Sequence, residues 1–213
     1  DFTQNHTALS GYAQKGVILV TGKQKNERLP SLPNDELAWL AAFCKTHSLP
    51  LLIEADGARK KPLKAPKAHE PVIPHFVDHV IVVAGLSGLG KMLNTETVYN
   101  PNRFAQLGES QEGTKITTTH LAKVLSHPGG GLKGIPPHAR QIALLNQADT
   151  LKAQVRGGKI AASLLCQFDT VILSSFRENY LSRHERIAGI LLAAGGSSRY
   201  GKSKQLLDYQ GNS

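Results

Sequence analysis

Short apolar runs rich in β-branched residues recur along the chain and predict strands. Almost every position within each run is apolar, which is typical of strands buried on both faces of a parallel sheet. The runs cover residues 17–20, 51–53, 80–83, 142–145, 171–173 and 187–192. We therefore expect most strands of this protein to lie inside a sheet that is covered by helices.

Helical patterns lie between several of these runs. Apolar positions three and four residues apart predict helices over residues 35–45, 117–125 and 151–166. The alternation of strand and helix predicts an α/β fold, a three-layer open parallel sheet with right-handed crossovers. Ligands of such sheets bind at the carboxyl ends of the strands.

A polar, charged stretch over residues 177–186 separates the fifth apolar run from the sixth. We interpret it as a domain boundary, with an α/β domain over residues 1–180 and the start of a second domain over residues 187–213. The first residue is not methionine and the last residues form a turn-like triplet. We expect the first domain to be truncated at its N-terminus and the second at its C-terminus.

The composition is that of a globular protein, with 40% apolar and 19% charged residues. No run approaches the roughly 18 to 20 apolar residues of a membrane span, and no signal peptide is recognisable. Cys44 and Cys166 are far apart and lack metal-type spacing, which favours reduced core thiols in a reducing compartment. The expectation is a cytoplasmic protein with no membrane partner.

The net charge of +9 favours anionic partners such as nucleotides or phosphorylated cofactors. Five cations fall within nine residues, namely Arg59, Lys60, Lys61, Lys64 and Lys67. A solvated loop is the alternative interpretation of this run. Nucleic acid is a disfavoured partner, because no aromatic residues are interleaved with these cations.

A glycine-rich loop follows the last apolar run and leads into two cations. Glycines allow successive backbone N–H groups to approach phosphate oxygens, and small residues at the strand end leave room for a base or ribose. The predicted nucleotide-binding residues are Ala193, Ala194, Gly195, Gly196, Ser197 and Gly201. Arg199 and Lys204 can neutralise a triphosphate, and we predict that they are catalytic.

A second constellation joins acidic residues at one strand end to an N-x-x-D pattern at another. Glu54 and Asp56 follow the run at 51–53, in the position of a Mg²⁺ ligand in NTPases, whereas Asn146 and Asp149 follow the run at 142–145. An aspartate there can accept both hydrogens from the N1 and N2 edge of guanine. The same pattern is common at turns and helix caps, so both interpretations remain open.

Residues 85–91 have the G-x-x-x-x-G-K spacing of a phosphate loop, but Met92 stands where Ser or Thr should hold Mg²⁺. The residues that follow favour extended or turn structure over a helix. We predict that this segment is not a phosphate loop.

Two family resemblances give these motifs a context. Residues 190–204 resemble the opening of MobA-like nucleotidyltransferases, which have a Rossmann-like fold. Residues 53–57, 64–74, 85–90 and 143–149 resemble the YqeC family over about residues 15–175. That family consists of accessory proteins proposed for selenium-dependent molybdenum hydroxylases and is similar to P-loop GTPases, although the phosphate loop is missing from this sequence.

The resemblances imply roles for particular residues. Glu54 or Asp56 would be the acid linked to Mg²⁺, Asp149 would read the base, and Lys64 and His69 would contact the cofactor. The parent polypeptide would transfer a nucleotide, CMP from CTP, to molybdopterin, while its accessory domain would bind a nucleotide such as GTP. A molybdenum hydroxylase apoenzyme would be a further partner. The alternative is a non-catalytic carrier that binds the cofactor for such a hydroxylase.

Overall fold

The structure, a computed structural model, describes residues 16–22 and 32–187. The predicted glycine-rich loop at residues 190–204, with its catalytic and nucleotide-binding residues, lies outside the described residues. The chain divides into two compact units, residues 1–54 and residues 55–213. None of the helices among the described residues combines the length and apolar character needed to cross a membrane.

In the first unit, helix α1 spans Asn34–Thr46, which confirms the helix predicted over residues 35–45. Leu40 and Cys44, four residues apart, form its buried face. Asp35 and Glu36 in the first turn and Lys45 in the last turn complement the helix dipole.

The two strands predicted in the first unit are not observed. Residues 17–20 and 51–53 are described but belong to no strand. Val17 is fully exposed and Leu52 is 89% exposed. An apolar run forms a strand only where a partner accepts and donates its ladder hydrogen bonds, and no such partner for these runs lies within the described residues.

The second unit is organised by a four-stranded sheet, whose strands lie in the order β2 (His79–Gly85), β4 (Arg140–Asn146), β5 (Thr170–Ser175) and β6 (Tyr180–Glu185). Strands β2, β4 and β5 are parallel, and they confirm the runs predicted at 80–83, 142–145 and 171–173. The fold is thus mixed α/β with parallel strands.

Strand β6 (Tyr180–Glu185) belongs to the main sheet, although the polarity of residues 177–186 suggested a domain boundary. It pairs antiparallel with β5 along its whole length, with Ser175 opposite Tyr180 and Thr170 opposite Glu185. Its alternating exposure fits an edge strand with one solvated face, where polar residues are tolerated. The polarity that suggested a boundary reflects this edge position.

Helices α3 (Thr118–Ser126) and α4 (Leu151–Leu164) confirm the other two helical predictions. Helix α4 packs on β5, and α3 packs on α4. Their buried residues form one core with the inward positions of the strands, Ala143, Leu145, Val171 and Leu173. Cys166, which follows α4, is free but exposed, so the prediction of a core thiol holds for Cys44 alone.

A smaller parallel pair lies beside the main sheet and was not predicted. Strand β1 (Leu63–Lys64) pairs with β3 (Val98–Tyr99), so that Lys64 lies opposite Tyr99. Helix α2 (Pro101–Leu107) follows β3 and starts with a proline, which suits the first helical position. This pair fixes the middle of the basic run against a distant part of the chain.

The segment at residues 85–91 is not a phosphate loop. A short 3-10 helix over Leu86–Gly88 follows β2, and turns rather than an α-helix follow Lys91. Phosphate loops place their last glycine and lysine at the start of an α-helix, and the sequence prediction is confirmed.

Adjacent glycines in α4 provide a matched test of how this helix packs against β5 and the 3-10 helix. A Cβ on Gly157 would lie 2.7 Å from Leu173 Cδ2 and 3.0 Å from Leu86 Cδ1, whereas a Cβ on Gly158 would meet nothing within 4 Å. We expect Gly157→Ala to lower the free energy of unfolding by about 1–3 kcal/mol through overpacking. Gly158→Ala should raise it by up to about 1 kcal/mol through helix propensity. Urea denaturation measures both, and equal effects would contradict the described packing.

Candidate functional site

Polar residues gather where the three parallel strands of the main sheet end. Gly85 ends β2 and lies opposite Asn146, the last residue of β4, and Ser175 ends β5. The N-x-x-D pattern therefore lies at the carboxyl edge of the sheet, as predicted. Ser174 and Ser175 join it there, and sequence reasoning missed them, although two hydroxyls closing an apolar strand were a visible signal.

The Asn146 side chain connects two neighbouring strands at this edge. Its Oδ1 accepts hydrogen bonds from the Gln147 backbone N–H at 2.7 Å and from Ser174 Oγ at 3.2 Å. Gln147 adopts a left-handed backbone, with a φ of 62°. The asparagine thus links the ends of β4 and β5 and shapes the loop that leads to Asp149.

Gln147 connects the same edge to the segment after β2. Its Oε1 accepts a hydrogen bond from Ser87 Oγ at 2.5 Å. A Cβ on Gly85 would lie 2.3 Å from this oxygen, so only glycine leaves room for the contact. The backbone N–H of Gly85 donates to Pro62 O at 2.8 Å, which places the basic run next to the strand ends.

Asp149 is oriented by the neighbouring strand and does not cap the helix that follows. Its Oδ1 accepts a hydrogen bond from Ser175 Oγ at 2.6 Å, and Ser175 Oγ accepts in turn from the Glu178 backbone N–H at 3.0 Å. Thr150 is the cap of α4, because its Oγ1 accepts from the Ala153 N–H at 3.1 Å. The helix-cap interpretation of Asp149 is therefore wrong.

Of the two acids predicted to bind Mg²⁺, Asp56 is already paired with a cation. The Asp56 carboxylate forms an ion pair with the Lys64 ammonium, which also donates to Gly57 O at 3.0 Å. Glu54 is exposed. The described residues contain no group of three His, Cys, Asp or Glu side chains that could hold a metal ion. Mg²⁺ ligation by Glu54 or Asp56 stays a prediction.

Three members of the basic run surround one aromatic ring. The Arg59 guanidinium carbon and the Lys64 and Lys67 ammonium nitrogens lie 5.1, 5.1 and 5.4 Å from the centre of the Tyr99 ring. These distances are within cation–π range. We call these four residues the Tyr99 cluster. This part of the run is organised by tertiary contacts, which a freely solvated loop would lack.

Glu70 lies beside the Tyr99 cluster and ties its parts together. Its Oε1 accepts from the Tyr99 hydroxyl at 3.2 Å, its Oε2 accepts from the Lys67 backbone N–H at 3.1 Å, and Oε2 lies 3.9 Å from Lys64 Nζ. His69, predicted as a cofactor contact, has a side chain that is 77% exposed, with Nε2 3.8 Å from Glu70 Oε1.

Lys133 anchors the basic run from a distant glycine-rich segment. Its ammonium donates to three backbone carbonyls, those of Lys67 at 2.5 Å, Ala68 at 2.7 Å and Glu70 at 2.5 Å. These three bonds use every hydrogen that an ammonium group can donate. The sequence could not reveal this anchoring role, since nothing in the local pattern relates Lys133 to residues more than sixty positions away.

The pKa of Glu70 lies below the usual glutamate value. Burial acts to raise the pKa, but the hydrogen bond from the Lys67 amide, the charge of Lys64 and the hydrogen bond from Tyr99 lower it by more in total. Ionised Glu70 therefore stabilises the fold. That contribution is fully present above the unfolded-state pKa of about 4.3 and is lost as the pH falls through the folded-state value.

Replacing Glu70 with glutamine should reveal this dependence. We expect Glu70→Gln to lower the free energy of unfolding by about 1 kcal/mol at neutral pH, the typical value of such polar contacts. The difference in the free energy of unfolding between the variant and the wild type should shrink below about pH 4, where Glu70 becomes protonated. Glu112→Gln is the control, because Glu112 is exposed and has no side-chain bond among the described residues. A loss of unfolding free energy in Glu70→Gln that does not change with pH would contradict the stabilising role of ionised Glu70.

Comparison with known proteins relates the first part of the chain to one family. The family model described as YqeC protein matches residues 1–102. A relative from Escherichia coli strain K12, named "Uncharacterized protein YqeC", is 37% identical over 97 residues. That alignment covers 46% of this chain and 38% of the relative. No solved structure matches the chain. Residues 1–102 are thus similar to the YqeC family.

Proposed function

We propose that the second compact unit binds a guanine nucleotide at the carboxyl edge of its sheet and serves in molybdenum cofactor maturation. The observation that carries the nucleotide-binding part is the hydrogen bond from Ser175 to Asp149. It holds a carboxylate at the edge where parallel α/β sheets bind ligands, while Thr150 performs the capping task. The molybdenum part rests on the family resemblance.

Asp149 would read the base by accepting hydrogens from guanine N1–H and N2–H. A carboxylate whose orientation is already set loses little entropy when the base arrives. The Ser175 hydroxyl, which is buried, supplies that orientation from β5. Asn146 would act indirectly, since its Oδ1 already accepts two hydrogen bonds that shape the loop.

The transfer of CMP from CTP to molybdopterin is the further part of the proposal. A phosphate oxygen of the pterin would attack the α-phosphorus of CTP, and the bond from that phosphorus to pyrophosphate would break. Arg199 and Lys204 would neutralise the charge on the departing pyrophosphate. Ala193, Ala194, Gly195, Gly196, Ser197 and Gly201 would cradle the nucleotide. The support for this step is the order of strand, glycines and cations in the sequence.

A carrier that holds the cofactor without turnover is the second candidate, and the Tyr99 cluster is the observation that favours it. Several cations gathered around one ring suit a phosphorylated pterin, with Lys64 and His69 as contacts, and a molybdenum hydroxylase apoenzyme would be the recipient. If the intact protein binds no nucleotide at all, the carrier is the better explanation.

Exchanging the base-reading carboxylate tests the guanine proposal. Asp149→Asn keeps an oxygen that can accept from Ser175 but replaces the second acceptor with a donor. We expect GTP binding by the intact protein to weaken by about tenfold or more, since hydrogen bonds to charged groups contribute about 1.5–3 kcal/mol. Binding of xanthosine triphosphate should strengthen, because xanthine presents an oxygen where guanine has its amino group.

Asp169→Asn is the matched control for this exchange. It removes the same charge, but Asp169 lies just before β5 at the opposite edge, where its Oδ2 accepts from the Gln141 N–H at 2.8 Å. Isothermal titration calorimetry with both nucleotides measures the effects. Unchanged preference between guanine and xanthine in Asp149→Asn would rule out base reading by this residue.

The transfer step has its own test. Lys204→Ala in the intact protein should abolish pyrophosphate release from CTP in the presence of molybdopterin, because the leaving group would lose a neutralising cation. Lys202→Ala is the control, since it removes a neighbouring charge that the motif does not use. A coupled pyrophosphate assay measures the rate. Wild-type turnover in Lys204→Ala would remove Lys204 from the mechanism.

A further inference from the structure

We propose that Arg59 and Lys67, held around Tyr99, form a binding site for the phosphate or pyrophosphate group of a small molecule. The site differs in its residues from the base-reading site at Asp149. It deepens the carrier candidate, which uses the same cluster, because it assigns the phosphate group of the ligand to Arg59 and Lys67, whereas the family resemblance named Lys64 and His69. It does not rest on the guanine proposal.

The charges within the Tyr99 cluster do not balance. Lys64 is neutralised by Asp56 and faces Glu70. Arg59 and Lys67 make no ion pair with any part of the chain that the structure describes. Two cations near one ring repel each other unless an anion is shared between them, and an anion bound there would relieve that repulsion.

Hydrogen bonds hold the inner side of the cluster in place. Tyr99 is 8% exposed, and its hydroxyl donates to Glu70. The backbone N–H of Lys67 donates to the same carboxylate, and the Lys67 carbonyl accepts from Lys133. The frame that carries the cations is therefore ordered before any ligand binds, which lowers the entropic cost of binding.

The Arg59 side is held by a tight turn. Arg59 and Lys60 both have left-handed backbones, with φ values of 50° and 61°, and the Lys61 N–H donates to Ala58 O at 3.0 Å. This turn directs consecutive side chains apart, so that Arg59 reaches the Tyr99 ring. The side chain of Lys60, which is exposed, makes no hydrogen bond, ion pair or ring contact with the rest of the described chain.

The chemistry selects a phosphorylated small molecule over a nucleic acid. A guanidinium donates two parallel hydrogen bonds to phosphate, and a neighbouring ammonium adds a point charge. Sequence-tolerant binding of single-stranded nucleic acid instead needs aromatic faces on which successive bases stack. The Tyr99 ring is buried and already faces cations, so it offers no such platform.

Two adjacent residues of the turn give a matched experiment. Arg59→Gln and Lys60→Gln each remove one positive charge, retain a long polar side chain and occupy left-handed positions. Calorimetric titration of the full chain with inorganic pyrophosphate at low salt should show a loss of about tenfold or more for Arg59→Gln and for Lys67→Gln. Lys60→Gln should lose about fivefold or less, the usual effect of an exposed charge.

The outcomes separate the possibilities. Equal losses in Arg59→Gln and Lys60→Gln, or no pyrophosphate binding by the wild type, would overturn the site in favour of unspecific attraction or no site. Binding of a single-stranded RNA that is tighter than pyrophosphate binding and sensitive to Arg59→Gln would overturn it in favour of nucleic acid. Asp149→Asn should leave pyrophosphate affinity unchanged, so the failure of one proposal is distinguishable from failure of the other.

Variants of the ring provide the second measurement. Tyr99→Phe keeps the aromatic face and should retain pyrophosphate affinity to within about fivefold, whereas Tyr99→Leu removes the face and should weaken binding further. Thermal unfolding of both variants identifies any loss of folded protein before the titration. Full affinity in a folded Tyr99→Leu variant would show that the ring does not position the cations.

Discussion

Parallel pairing of β2, β4 and β5 is the constraint on which both candidate sites depend. The register that sets Gly85 opposite Asn146 brings the ends of non-consecutive strands to one edge. At that edge, Asn146 and Ser174 join β4 to β5, while Gln147 and Ser87 join β4 to the segment after β2. The hydrogen bond from Gly85 to Pro62 then places the basic run beside the same edge. A shift of one residue in the β2–β4 register would separate Ser87 from Gln147.

The polar contacts at this edge fall into two kinds. Asn146 and Gln147 use their side chains to shape the backbone, and Asp149 receives its orientation from a hydroxyl on the next strand. Around Tyr99 the acidic residues serve the cations instead. Asp56 and Glu70 both face Lys64, whereas Arg59 and Lys67 have no acidic partner in the described chain. One edge therefore combines a positioned acceptor with uncompensated positive charge, which are the two features that a nucleotide or a phosphorylated cofactor requires of a protein.

Much of the main sheet could be predicted from the sequence, because buried parallel strands and amphipathic helices leave strong local patterns. Strands β2, β4 and β5 and helices α1, α3 and α4 carry such patterns. The runs at 17–20 and 51–53 carry the same pattern without forming strands, since composition does not supply a pairing partner. Strand β6 is polar because it lies at an edge, and β1 and β3 are two residues each, too short for any periodicity. The Tyr99 cluster was equally invisible, because Lys64 and Tyr99 meet only through the pairing of β1 with β3.

The three hydrogen bonds of Lys133 change how the glycine-rich segment before it should be regarded. By composition, residues 128–134 look like a connector whose length and sequence are free to drift. Their end is instead fastened to the carbonyls of Lys67, Ala68 and Glu70. A deletion or insertion in this segment would pull on the loop that carries Lys67. The number of residues between α3 and Lys133 is therefore constrained by these three hydrogen bonds, although the glycine-rich composition suggests a free connector.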